Sequence, residues 1–253
     1  MRLRAGVASR AKRGNSVEEY EDAFFPPEFL TELELPFACA VADGATESSF
    51  SGLWAKLLTE AYTQATDLTH LQQLVDSARG HWHEKTSSQS LPWYAEQKLE
   101  KGAYATLLGV TIDKAEFPSH LKWEALAVGD SCLFHVRNHE AVATFPIKSA
   151  EELTARPMLL PSIGHETKDT SLYQMGQGIL ETGDRLYLVT DAIAGWIFTS
   201  LDRSEKPLDV LDQIVRTGTA ECFHELVERL WDQNRLKNDD CTVLWIDVVG
   251  NPM

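Results

Sequence analysis

The 253-residue sequence predicts an α+β fold with antiparallel sheets, and three observations support this prediction. Strand-like runs rich in Val, Leu, Thr and aromatic residues follow one another between residues 103 and 145. Their connections, such as "RNHE", are too short for a helical crossover, which predicts an antiparallel meander over this stretch. Helical patterns lie elsewhere in the chain and come in pairs. This separation of strands from helices favours α+β layers over a doubly wound parallel sheet.

The individual elements follow from local patterns in chain order. The strand-like run "FACAVAD" precedes the helix "SGLWAKLLTEAYTQA", whose apolar residues repeat at helical spacing. "LTHLQQLVDSARGHW" predicts a second helix, and "AECFHELVERLW" predicts a helix near the C-terminus. Two longer segments, "EKTSSQSLPW" and the one from "PIKSAEEL" to "ETKDTS", are predicted to be loops. The remaining predicted strands are "AYATLLGVTID", "KWEALAVGD", "CLFHVRN", "EAVATF", "RLYLVTD" and "CTVLWIDVV".

Composition limits the domain organisation and the class of partner. With 43% hydrophobic residues, the chain can bury one substantial core, so a single domain spanning residues 1–253 is expected. A formal net charge of −15 argues against nucleic-acid binding and favours cations as partners. No apolar run has the length of a signal peptide or a membrane span, so a cytoplasmic protein without membrane association is expected. Four widely spaced cysteines indicate reduced core residues: Cys39, Cys132, Cys222 and Cys241.

Aspartates stand at the ends of several predicted strands. Each one alone is explained by a turn, because Asp caps backbone donors and Asp-Gly is a common turn dipeptide. In an antiparallel sheet, however, the end of one strand and the start of its neighbour lie at the same edge, so these acids are expected to converge. Asp43, Asp130 and Asp191 follow apolar strands, and Asp22, Asp239 and Asp240 precede them.

A group of carboxylates at one edge of a sheet predicts a cation site. Like charges a few ångströms apart raise each other's pKa unless a positive charge compensates them. Sites built from oxygen ligands suit Mg²⁺ or Mn²⁺, and a pair of such ions can activate water against phosphorus. Asp184, in the turn "TGDRL", is expected to lie outside this group, so that Asp184→Asn would leave activity near normal.

Six motifs resemble those of a known enzyme family. "YEDAFF", "VADGA", "GAYATLLG", "AVGDS", "VTDAIAGW" and "DDCTVLWI" occur in the order and approximate spacing of the motifs of the PPM, or type 2C, metal-dependent serine/threonine phosphatases. The match spans residues 10–248 and is similar to short bacterial members. The resemblance implies a single PPM-type domain folded as a four-layer α-β-β-α sandwich, in which two antiparallel sheets are flanked by helix pairs.

The resemblance also implies a metal site with two Mn²⁺ or Mg²⁺ ions and a third, weaker one. Asp43 would bridge the two ions, and the carbonyl of Gly44 would join one of them. Asp191 and Asp239 would complete the coordination of the other ion. The rest of the implied site is Glu21 and Asp22, which would hold metal-bound waters, and Asp130, which would help to hold the third ion. Asp43, Asp130 and Asp191 are the implied catalytic residues.

The implied reaction is hydrolysis of phosphoserine or phosphothreonine by a metal-bridging hydroxide, without a phosphoenzyme. The implied partners are a phosphorylated protein and a cognate serine/threonine kinase. Two alternatives stay open. A pseudophosphatase would bind phosphoproteins on the same fold, but retention of every metal carboxylate argues against it. A phosphatase of small phosphorylated metabolites would use the same site, and nothing in the sequence excludes it.

The sequence departs from the family pattern at three positions. Many eukaryotic members have a histidine, credited with protonating the leaving group, where Ala45 stands, so leaving-group protonation is unassigned. Val17 stands where those members have an arginine that holds substrate phosphate. Lys12 and Arg13 are the nearest candidates for that role. Asp240 replaces a more common asparagine, which keeps an oxygen ligand and adds charge.

Overall fold

The computed structural model describes residues 1–46, 48, 50–65, 71–87, 99–116, 120–153, 156–164, 173–217 and 220–250. These residues form twelve β-strands and five α-helices. Residues 88–93, 154–155 and 165–171 of the predicted loops lie outside the described residues. The beginning of the first predicted loop, "EKTS", is helical instead, because the second helix continues to Ser87.

Two five-stranded sheets, in which every neighbouring pair of strands is antiparallel, form the centre of the fold. In spatial order, sheet 1 contains β1 (Arg2–Arg10), β12 (Cys241–Val249), β11 (Arg185–Val189), β7 (Cys132–Arg137) and β8 (Glu140–Phe145). Sheet 2 contains β10 (Gln174–Leu180), β6 (Leu121–Val128), β5 (Leu107–Lys114), β3 (Phe37–Ala42) and β2 (Ala23–Phe25). A further pair consists of β4 (Tyr104–Ala105) and β9 (Leu160–Pro161).

The two sheets pack face to face around a shared apolar core. Because side chains alternate along a strand, each sheet buries one face against the other sheet and its other face against helices. On β12, Leu244 belongs to the cluster between the sheets, together with Val41 and Leu108 of sheet 2. The neighbouring Trp245 belongs to the cluster on the opposite face of sheet 1. The predicted layering of sheets therefore follows from alternation within single strands.

Helices cover the outer face of each sheet. Trp54 and Tyr62 are fully buried in the cluster that joins the first two helices to sheet 2. Phe223 is fully buried in the cluster between sheet 1 and the later helices. The described helices are α1 (Ser51–Gln64), α2 (Leu71–Ser87), α3 (Asp191–Asp202), α4 (Pro207–Thr217) and α5 (Ala220–Asp232), with two short 3-10 helices at Val17–Glu19 and Ala150–Glu152. The layers are thus α-β-β-α as expected, but three helices rather than a pair accompany sheet 1 in the described residues.

The predicted meander is correct only in part. β5 pairs with β6, and β7 pairs with β8, but β6 and β7 lie in different sheets. The chain passes from sheet 2 to sheet 1 between Val128 and Cys132. Asp130 therefore does not sit in a hairpin turn; it lies where the two sheets are connected.

Several elements were not predicted from the sequence: β1, β9, β10, α3 and α4. β9 lies in a segment that was predicted to be a loop. β10 contains two glycines, which are depleted in strands. A Cβ on Gly178 would lie 2.5 Å from the Trp123 indole nitrogen, so a ring from the neighbouring strand covers this position. The N-cap of α1 is Phe50, and the helix begins at Ser51.

Two predictions from composition can be compared with the structure. Of the four cysteines expected to be core residues, Cys39, Cys132 and Cys241 are buried and Cys222 is half-buried. None of the helices in the described ranges is long and apolar enough to cross a lipid bilayer.

Candidate active site

Four aspartates predicted from strand ends line one cleft, which has a volume of about 690 Å³ and which we call the acidic cleft. Asp43 follows β3 of sheet 2, and Asp130 lies between β6 and β7. Asp191 begins α3 directly after β11, and Asp239 lies just before β12. β7, β11 and β12 are neighbours in sheet 1, so their ends on this side meet at one edge. The structure thus brings four of the six predicted carboxylates to one cleft, whereas Asp22 and Asp240 do not line it.

The backbone around Asp43 is held tightly against sheet 2. The Asp43 amide donates to the Thr106 hydroxyl at 2.9 Å, and the Thr106 amide donates to the Asp43 carbonyl at 2.9 Å. A Cβ at Gly44 would lie 2.6 Å from the Glu21 carbonyl oxygen, so only glycine fits between this segment and its neighbours. The "DGA" motif thus lines the cleft with its backbone as well as its carboxylate.

Burial and mutual repulsion shift the pKa values of two of the cleft carboxylates, Asp43 and Asp130. Burial, followed by the charges of Asp22 and Asp191, raises the pKa of Asp43 well above its ordinary value. Burial, followed by the charge of Asp191, raises the pKa of Asp130 to about 6. In the folded protein, the positive charge near Asp43 and Asp130 is therefore too small to favour their ionised forms.

Two oxygens in the acidic cleft are buried without a hydrogen-bond donor. Within the described residues, Oδ1 of Asp130 and Oδ1 of Asp191 have no partner. Buried carboxylate oxygens normally accept a hydrogen bond or bind a metal, and this all-oxygen set of ligands fits Mg²⁺ or Mn²⁺. As the side chains stand, however, no three acidic, histidine or cysteine side chains in the described residues are close enough together to hold one ion.

Lys237 is a member of the cleft that was not identified from the sequence. Its Nζ lies 2.9 Å from Oδ2 of Asp191 and 2.7 Å from Oδ2 of Asp239. Burial would lower the pKa of this ammonium group, but Asp239 and Asp191 raise it above the ordinary value. The available signal was the run "LKNDD", in which a lysine precedes the predicted ligand by two positions.

Asp22 and Glu21 do not line the acidic cleft but lie beside it. Asp22 is buried and accepts hydrogen bonds from the hydroxyls of Thr190 at 2.9 Å and Thr242 at 2.7 Å. Burial is the main cause that raises its pKa. Glu21 accepts hydrogen bonds from Lys12 Nζ at 2.8 Å and from the Ser51 hydroxyl at 2.7 Å.

Asp240 anchors the N-terminal segment to the start of β12. Its Oδ1 accepts the backbone N–H of Lys12 at 2.8 Å, and its Oδ2 accepts that of Glu21 at 2.7 Å. Both oxygens act as acceptors, and an asparagine side chain has only one acceptor oxygen. This geometry accounts for the aspartate at this position. Burial raises the pKa of Asp240.

Of the two basic residues expected to hold phosphate, Lys12 reaches the rim of the acidic cleft and Arg13 does not. Arg13 lies against α5, where its guanidinium donates to Glu228 at 2.8 Å and stacks over the Trp231 ring at 5.3 Å. Arg13 does not line the acidic cleft, and these contacts argue against the phosphate-binding role expected for it. Lys12 reaches the rim, where its Nζ is 3.0 Å from the hydroxyl of Thr46. Arg156, which was not predicted, lines the cleft directly.

No protein-family model and no curated protein sequence matches this chain. Solved structures do. The serine/threonine phosphatase PstP/Ppp of Mycobacterium tuberculosis is 17% identical, with 99% of this chain and 100% of that chain covered and a TM-score of 0.63. The catalytic domain of PstP in complex with two manganese ions is 19% identical, with coverage of 98% and 100% and a TM-score of 0.57.

A further similar structure is PppA, a regulatory component of the T6SS in Pseudomonas aeruginosa, which is 17% identical over 98% of each chain with a TM-score of 0.55. The likeness extends over almost the whole of each chain. The resemblance predicted from the six motifs is therefore confirmed at the level of the fold, which is that of the PPM-type serine/threonine phosphatases.

Proposed function

We propose that this protein is a PPM-type, metal-dependent phosphatase that hydrolyses phosphoserine and phosphothreonine in proteins. The observation that carries the proposal is the acidic cleft, in which carboxylates from both sheets converge and two buried oxygens have no hydrogen-bond donor among the described residues. The fold shared with serine/threonine phosphatases and the order of the six motifs support it.

The proposed ligands are the residues implied by the motifs. Asp43, the Gly44 carbonyl, Asp191 and Asp239 would hold two Mn²⁺ or Mg²⁺ ions. The ions, when bound, would activate water and offset the negative charge of the phosphoryl group. Asp130 is proposed to help hold a third, weaker ion. Glu21 and Asp22 are proposed to hold metal-bound waters.

Residues of the chain itself would position the substrate. We assign phosphate contact to Arg156, which lines the cleft, and to Lys12, which lies at its rim. Guanidinium and ammonium groups pair well with phosphate oxygens. The methyl side chain of Ala45 also lines the cleft and has no proton to give, so position 45 does not protonate the leaving group in this protein.

The proposed partners are a phosphorylated protein and a cognate serine/threonine kinase in the cytoplasm. The four cysteines, which form no disulfide with one another, support a reducing compartment. The net charge of −15 is unfavourable for nucleic acid and favourable for divalent cations.

Hydrolysis of a phosphothreonine peptide, measured with Mn²⁺, with Mg²⁺ and with EDTA, tests the proposal. We expect turnover with either ion and none with EDTA. Zinc should not substitute, because it prefers tetrahedral sites with nitrogen and sulfur ligands. A sugar phosphate assayed in parallel addresses the metabolite alternative. Full activity in EDTA, activity on the sugar phosphate alone, or peptide binding without turnover would each contradict the proposed function.

A further inference from the structure

Lys237 holds together two carboxylates that belong to the proposed metal site. Its Nζ lies within 2.9 Å of Asp191 and 2.7 Å of Asp239, and both contacts are to Oδ2 atoms. These two residues reach the cleft from different elements, one at the start of α3 and one just before β12. A single ammonium group therefore bridges the pair that is proposed to bind one divalent ion.

The backbone fixes this lysine next to the pair. The Lys237 carbonyl accepts the indole N–H of Trp231 at 2.9 Å and the backbone N–H of Asp239 at 2.9 Å. The preceding residue, Leu236, is buried in the cluster under sheet 1. The ammonium group thus extends from an anchored position, although its own side chain is exposed.

The ion pairs of Lys237 lie on the Asp191–Asp239 half of the acidic cleft. Among the described residues, Asp43 makes no ion pair, whereas Asp191 and Asp239 share one. Arg156 and Lys237 are the basic residues that line the cleft. The positive charge supplied by Lys237 is thus concentrated on one half of the proposed two-ion site.

We propose that Lys237 is a built-in counter-cation of the Asp191–Asp239 pair, which a divalent ion must displace in order to bind there. This inference rests on the proposed function. The ammonium group and the ion require the same oxygens, and like charges repel, so Lys237 lowers the affinity of this half of the site. In the metal-free protein the same contacts offset the repulsion between the two carboxylates and stabilise the fold.

Two consequences follow for the proposed metal site. The two ions should bind with unequal affinity, and the weaker ion should be the one held by Asp191 and Asp239. The metal-free protein should keep its fold without an ion at this pair, because the lysine already supplies a positive charge.

Calorimetric titration with Mn²⁺ tests the inference on four proteins: the wild type, Lys237→Met, Lys237→Arg and Lys56→Met. Lys56 is the matched control, because its side chain is also 62% exposed and also forms an ion pair, with Glu60 on α1. Lys56→Met changes the net charge by the same amount and does not touch the cleft. Lys237→Arg keeps a positive charge in place.

We expect Lys237→Met to bind the Mn²⁺ ion at Asp191 and Asp239 about tenfold more tightly than the wild type does. This ratio corresponds to ~1.4 kcal/mol of binding free energy. Lys237→Arg and Lys56→Met should bind this ion as the wild type does. In EDTA, Lys237→Met should melt at a lower temperature than Lys56→Met, and Mn²⁺ should raise its melting temperature by more.

Mn²⁺ affinity for Lys237→Met that equals or falls below that of Lys56→Met would overturn the inference and leave the proposed function standing. If none of the four proteins bound Mn²⁺, the proposed function and the inference would both be wrong. The two failures are therefore distinguishable in one set of titrations.

Discussion

The strands of sheet 1 carry aspartates at both of their ends, and the two ends differ in how these acids are compensated. At one end, Asp130, Asp191 and Asp239 line the acidic cleft. At the other, which we call the paired end, Asp184 and Asp247 contact arginines on neighbouring strands. The same strands connect the two ends, because β7, β11 and β12 each extend from one to the other.

The paired end is organised by strand register. Asp247 on β12 lies opposite Arg4 on β1 and Arg185 on β11. Its Oδ2 accepts from Arg4 at 2.8 Å, and its Oδ1 accepts from Nε of Arg185. Asp184 accepts a bidentate pair from Arg137 at 2.8 and 2.7 Å. Bidentate charge-assisted hydrogen bonds of this kind are shorter and stronger than neutral ones.

The pKa values of the aspartates are therefore shifted in opposite directions at the two ends. Burial alone would raise the pKa of Asp184, but hydrogen bonds from Arg137 and from the Glu181 backbone lower it below the ordinary value. At the acidic cleft, burial and neighbouring acids raise the pKa of Asp43 and Asp130. Buried aspartates with arginine partners are structural, whereas buried aspartates without them indicate a site for an added cation.

The largest expected difference between the two ends is in catalysis. Asp43→Asn should lower turnover of a phosphothreonine peptide by roughly 10²-fold or more, because it removes the carboxylate proposed to bridge both ions. Asp202→Asn is the control, since Asp202 is exposed at the far end of α3 from Asp191. Steady-state kinetics on both variants checks this, and equal activity would remove Asp43 from the catalytic centre.

The second difference is in stability. Asp247→Asn should lower the free energy of unfolding by about 3 kcal/mol, because it leaves two arginines without their shared buried partner. Asp43→Asn in EDTA at pH 8 should leave that free energy unchanged or raise it by ~1 kcal/mol, because it removes an uncompensated buried charge. Urea denaturation measures both. The comparison fails if both variants are destabilised to the same extent.

Asp130→Asn should have a smaller effect on catalysis. We expect kcat to fall by roughly tenfold with little change in KM, because a weakly held third ion would act on charge that develops in the transition state. The loss should be larger for phosphopeptides than for p-nitrophenyl phosphate, whose leaving group needs no proton. Equal losses on both substrates would exclude a part in leaving-group protonation.

The pH dependence of stability should also differ in sign between the two ends. The pKa of Asp130 is raised to about 6 from an ordinary 3.8, so the metal-free fold is most stable when this group is protonated. Stability in EDTA should therefore fall as the pH rises from about 4 through 6. Asp184, whose pKa is lowered, contributes stability that is lost as the pH falls. Melting temperatures of the wild type and Asp130→Asn across this range check the prediction, since the variant should show the weaker fall.

The acidic cleft was predictable because its signal is local. An apolar strand that ends on an aspartate is visible in a few residues, and Asp43, Asp130 and Asp191 all follow this pattern. Antiparallel pairing then brings such ends to one edge whatever the length of chain between them. Most of the strands and the α+β class were predictable for the same reason, whereas β1, β9 and β10 were not.

The paired end was not predictable, because it depends on contacts between distant residues. Asp184 was expected in the turn "TGDRL" and outside the acidic cleft, and it lies there. Its burial and its bonds to Arg137 and His135 were not predicted. Arg13 was expected near phosphate, yet its partner Glu228 is 215 positions away in the sequence. A charge in a sequence indicates a preference for an opposite charge but not which one it meets.

Mn²⁺ binding by one variant of the acidic cleft and one variant of the paired end tests the central claim most directly. Calorimetry on the wild type, Asp43→Asn and Asp247→Asn, at a temperature where all three are folded, gives the number of ions bound by each chain. The account predicts two ions for the wild type and for Asp247→Asn, and loss or marked weakening of both for Asp43→Asn. Unchanged binding of two ions by Asp43→Asn, or no binding by the wild type, would contradict it.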